Sequence, residues 1–135
     1  TEEEATLLAP LEPASARGRA KQLFGFDYIW EVYKPVHQRR WGYYTLPILY
    51  GDDLVARLDA RLERPESTLK VLGFWLEEDT PADGVFGAAL GRGLARFARM
   101  AGAEKVSAEA ILPVKLRREV VKAVKSAYLQ AEQSL

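Results

Sequence analysis

The chain has 135 residues and carries 19 basic against 19 acidic side chains, so it has the length of one compact domain and no net charge to drive it onto a polyanion. At 48% hydrophobic and 28% charged it should fold rather than stay disordered. It has no cysteine, which excludes disulfide frameworks, thiolate metal sites and cysteine nucleophiles, and suits a cytoplasmic location.

In chain order, the acidic start Glu2–Glu4 reads as a frayed, solvated end. The opening "TEEEATLL" lacks an initiator methionine and reads as part of a larger protein. No apolar run is long enough to span a bilayer, and no secretory signal pattern opens the chain. "LLAPL" is extended, because Pro10 and Pro13 disfavour a helix. "SARGRAKQLFG" is helical, with Ser15 as N-cap and Gly25 as its end. "DYIWEVY" (Asp27–Tyr33) has strand composition.

"GYYTLPILY", a Gly51-Asp52 turn and "DLVARLDARL" predict a hairpin with Tyr50 opposite Asp53. Strict alternation puts Leu54, Ala56, Leu58, Ala60 and Leu62 on one face, together with Leu49, Pro47, Thr45 and Tyr43. Pro47 cannot donate a ladder hydrogen bond, so its nitrogen should face an unpaired side or a bulge. After a "RPES" turn, "TLKVLGFWLEE" is apolar on both faces and predicts a central strand.

"TPADGVFGAALGRGLARFARMAG" predicts a helix capped by Thr80 and ended by Gly102, with Phe86, Leu90, Leu94 and Phe97 inward. Gly87, Gly91 and Gly93 would let it approach the sheet closely. "EKVSAEAI" predicts a short last strand. The closing helix opens at Pro113 and turns Leu116, Val120, Val124 and Ala127 inward. The expected fold is a single α+β domain over residues 1–135. It has a mainly antiparallel sheet of four to five strands with helices packed on it.

Catalytic signals are weak. His37, the single histidine, has no serine, cysteine or acid beside it to form a nucleophile–base pair. No metal-ligand spacing occurs, and the glycines of "GAALGRG" lie inside a helix pattern, not in a phosphate-binding loop. No cofactor or metal is expected.

The basic groups are gathered more tightly. Lys34, His37, Arg39 and Arg40 lie together between two strands, followed at once by Trp41, Tyr43 and Tyr44. Such a loop can grip phosphates and stack a base on an aromatic ring. Residue by residue, the plainer alternative is an aromatic core covered by arginine stems. Lys115, Arg117, Arg118, Lys122 and Lys125 form a second basic group, and Arg92, Arg96 and Arg99 a third, each of which alone also reads as a solvated helix face.

"LLAPLEP", "RAKQLFGFDYIWEVYKP", "RRWGYYTLPILYGDDLVARLD" and "ARFARMAGAEKV", in that order, closely resemble the C-terminal region of the winged-helix, YcaQ/AlkZ-type bacterial DNA glycosylases, which act on interstrand crosslinks and bulky alkylated bases. The resemblance implies an accessory, DNA-contacting C-terminal domain of a larger DNA-repair protein. Its partners would be DNA and N-terminal winged-helix domains of the same chain. Lys34, His37, Arg39, Arg40, Trp41 and Tyr44 are the expected DNA-contacting residues. That family's catalytic motif, a glutamine followed two positions later by glutamine or aspartate, has no counterpart here, since Gln130 and Gln133 are three apart. No catalytic residue is assigned, and this chain alone is expected to be inactive. The rival readings are a purely structural packing module and a small-ligand domain with a cavity between sheet and helix.

Overall fold

The computed structural model describes residues 4–8 and 43–133. The elements are β1 (Ala5–Leu7), β2 (Tyr43–Tyr50), β3 (Asp53–Glu63), β4 (Thr68–Leu76), α1 (Gly84–Met100), β5 (Lys105–Ser107) and α2 (Val114–Gln133). The expected helix at 15–25 and strand at 27–33 lie outside the described residues.

The sheet order is β1-β2-β3-β4-β5. The first three pairings are antiparallel and β4–β5 is parallel. Among the described residues the fold is α+β, with a curled, mostly antiparallel sheet and two helices against it. Helix α1 lies along β1 and reaches β5, and α2 packs on α1.

The hairpin turns as its sequence predicts. Gly51 has φ 61°, which a glycine adopts without steric cost, and Tyr50 pairs with Asp53. The expected facing is corrected by a bulge. Leu49 pairs with Leu54 but Ile48 pairs with Ala56, so Val55 is an extra residue and the alternation slips by one. Leu46 and Ile48 therefore share the helix-side core with Ala56, Leu58 and Ala60. Leu49, Pro47 and Thr45 belong to the opposite face, and Leu54 with them.

Pro47 follows expectation. Its carbonyl accepts from Leu8 N at 2.9 Å, so its nitrogen points the same way, just past the end of β1, beside the bulge. The β1 ladder stops where β2 has no N–H to return. Strand β4 is internal as expected, but its outer face is partly solvated, with Leu72 and Trp75 exposed.

Helix α1 starts later than its sequence suggests. Asp83, not Thr80, is the N-cap, and its Oδ1 accepts from Phe86 N at 2.8 Å. Phe86, Leu90, Leu94 and Phe97 are all buried, and Gly102, with φ 85°, follows the helix end. The glycines serve two neighbours. A side chain at Gly93 would collide with the Ala5 carbonyl of β1, so here the helix does touch the sheet edge. One at Gly91 would meet the Val120 carbonyl of α2 at 2.6 Å, so this glycine sets helix–helix spacing instead. Between the sheet and α1 the space is filled: Leu46, Ile48, Leu58, Leu90 and Leu94 are all fully buried.

Candidate nucleic-acid interface

Of the residues expected to touch DNA, Lys34, His37, Arg39, Arg40 and Trp41 lie outside the described residues. Tyr44 is described. Its backbone pairs with Ala60, on the helix side of the sheet. Its ring is half-buried and meets Phe97 edge-on, with centroids 5.0 Å apart and planes at 84°. One side of Tyr44 is thereby committed to packing on α1. The chain enters β2 at Tyr43, opposite Arg61, so the basic segment before it joins the hairpin at the end holding Arg61 and Glu63. There Arg61 Nη2 donates to Glu63 Oε2 at 2.7 Å. That bond, followed by the nearby charges of Lys70 and Arg61, holds the Glu63 carboxyl below its usual value.

The sheet face away from α1 and α2 carries a row that local spacing did not single out. Pro47, Arg57 and Trp75 stand opposite one another on β2, β3 and β4. The Arg57 guanidinium lies 4.2 Å from the centroid of the Trp75 ring, a cation–π contact at a half-exposed indole. In the next row are Thr45, Asp59 and Gly73. The indole folds back over Gly73, where the lack of a side chain makes room for it. Thr45 is buried, and its Oγ1 has no hydrogen-bond partner among the described residues. The Arg-x-Asp-x-Arg alternation of β3 could have signalled this polar face. The tryptophan opposite could not be paired with it, because a second bulge sets that register: Asp59 pairs with Gly73 but Ala60 with Val71.

The basic residues of α1 are held differently from a free cationic stripe. Glu4, expected to be a solvated end, turns onto the helix. Its carboxylate accepts from Arg92 Nε at 2.9 Å and lies 2.8 Å from Arg92 Nη2. It also lies 3.3 Å from Arg96 Nη1, and Arg96 Nη2 donates to the Ala5 carbonyl at 2.8 Å. Arg92, Arg96 and Arg99 border an open groove of about 620 Å³ whose other wall is the 126–130 side of α2.

On α2 the cations divide. Arg117 Nη1 donates to the Glu109 carbonyl at 2.7 Å, which ties the first turn to the preceding loop. Lys115, Arg118, Lys122 and Lys125 are exposed. Among the described residues no group of three or more His, Asp or Glu side chains could hold a metal ion. No described helix is long and apolar enough to cross a membrane.

A protein-family model described as DNA glycosylase AlkZ-like matches residues 1–100. No solved structure matches the chain.

Proposed function

The chain belongs to the AlkZ-like DNA glycosylase family, and on that premise we propose that it is an accessory domain that holds duplex DNA for base removal by winged-helix domains of the same protein. The observation that carries this reading is the family match over residues 1–100, which includes the whole basic segment 34–41 and the hairpin it feeds. A glycosylase must extrude its target base, and the distorted duplex needs support on its phosphates. In this reading Arg39, Arg40, Lys34 and His37 meet phosphates. Trp41 offers an aromatic surface to a base, and Tyr44 braces the start of β2 against Phe97.

The chain supplies binding and not the chemistry, because its sequence lacks the Gln-x-Gln or Gln-x-Asp arrangement that the resemblance ties to catalysis. The test is fluorescence anisotropy of the purified chain with a duplex, beside an assay of base release from alkylated DNA. Salt-sensitive binding without base release is the expected result. Failure to bind any duplex would favour a packing module, and base release above a buffer control would overturn the division of labour.

A further inference from the structure

We propose that the outer face of α2 is a second phosphate-tracking surface, on which the backbone of the duplex lies along Lys115, Arg118, Lys122 and Lys125; the inference rests on the DNA-holding function proposed above. These four residues follow one another at steps of three, four and three, so they form a single stripe on a helix. The stripe faces away from Leu116, Val120 and Val124, which are buried against α1. All four side chains are exposed, and none is in an ion pair among the described residues. Glu119 does not relieve them. It is turned towards α1, where its Cβ is the atom a side chain at Gly87 would strike. The next acid on the helix, Glu132, comes seven residues after Lys125, about 10 Å further along the axis.

An ordinary solvated helix face mixes signs, because like charges three or four apart repel. Here three successive neighbour pairs are like-charged, and the helix carries that repulsion in the free protein. A polyanion would relieve it. The stripe runs about 15 Å, at 1.5 Å per residue. That length faces several phosphates of a duplex, which carries one negative charge per ~1.7 Å of its axis. Arg118, Lys122 and Lys125 of the stripe line a shallow groove of about 520 Å³ together with Arg117, Val114 and Val121. The stripe lies beyond residue 100, where the family match ends.

The test is a titration of duplex affinity against potassium chloride for the whole chain and for the fourfold variant Lys115→Gln/Arg118→Gln/Lys122→Gln/Lys125→Gln. The expected result is at least a tenfold loss at low salt. The log–log salt slope should flatten by roughly 2–4, at about 0.9 for each phosphate that is no longer neutralised. The pair variant Lys115→Gln/Lys122→Gln should give about half the change and serves should the fourfold variant fold poorly. Lys105→Gln, which removes an exposed cation from β5 outside the stripe, should bind as wild type. Unchanged affinity and slope in a folded variant would overturn the inference while leaving the proposed function standing. A wild-type chain that binds no duplex would remove both. A variant that loses only binding to phosphatidylserine vesicles would assign the stripe to a membrane surface and also overturn it.

Discussion

Glu4 and Arg92, 88 positions apart in sequence, are joined by a two-point contact, with Arg92 Nε and Nη2 2.9 and 2.8 Å from Glu4 Oε1. The contact pins the residue just before β1 to the middle of α1, and Arg96 extends it by holding the Ala5 carbonyl. Both partners are about a third to a half exposed, so solvent screens most of the Coulomb energy. Glu4→Gln should therefore cost about 1 kcal/mol or less in urea denaturation. Its larger effect should be on β1: the amide protons of residues 5–7 should exchange faster, while those of β3 stay protected.

Asp83 and Thr80 offer alternative starts for α1, and the hydrogen bond to Phe86 N chooses Asp83. Asp83→Ala should lower stability by ~1 kcal/mol, the usual cost of removing an N-cap. Thr80→Ala should change it by less than about 0.5 kcal/mol, as expected of a surface position. Equal losses in the two variants would mean that the helix begins at Thr80.

The glycines of α1 separate close approach from mere flexibility. Gly93→Ala places a methyl group into the Ala5 carbonyl, a backbone atom that cannot swing aside. Overpacking of this kind costs about 1–3 kcal/mol, against a gain of ~1 kcal/mol in helix propensity. A net loss is expected in thermal melts. Gly84→Ala meets only Glu119 at ordinary contact distance, 3.8 Å, and should be neutral or slightly stabilising.

Tyr128 connects α2 to the turn between α1 and β5 by donating to the Ala103 carbonyl at 2.9 Å. Burial raises its pKa above 10.0, and the charge of Arg99 only partly opposes the shift. The neutral phenol is thus favoured in the folded state. Its contribution is intact below the unfolded value of 10.0 and is lost as pH climbs through the folded value. Urea midpoints of the wild type should fall above about pH 10 more steeply than those of Tyr128→Phe. At neutral pH that variant should be weaker by ~1 kcal/mol, for the missing hydrogen bond.

Much of the fold can be read from local pattern. The Gly51-Asp52 turn, the buried stripes of both helices and the last short strand follow from turn chemistry and periodicity, which act over a few residues. The hairpin's facing cannot, because "LVA" at 54–56 is apolar throughout and does not mark Val55 as the bulged residue. The Glu4 clasp joins segments far apart in sequence, so three arginines in helical spacing resemble a free stripe until the fold brings an acid to two of them. The stripe on α2 is legible as a cluster of charge. Its lack of ion-pair partners among the described residues is not, since that depends on which way Glu119 turns.

The basic segment before β2 is tested most directly by a salt titration of duplex affinity for Arg39→Ala/Arg40→Ala beside wild type, with circular dichroism to show that both are folded. If these guanidiniums hold phosphates, affinity should fall about equally for unrelated sequences. The log–log slope should then flatten by no more than ~2, at about 0.9 for each phosphate that an arginine no longer holds. A folded double variant with wild-type affinity and slope would contradict the DNA-holding role of this segment and favour the packing-module reading.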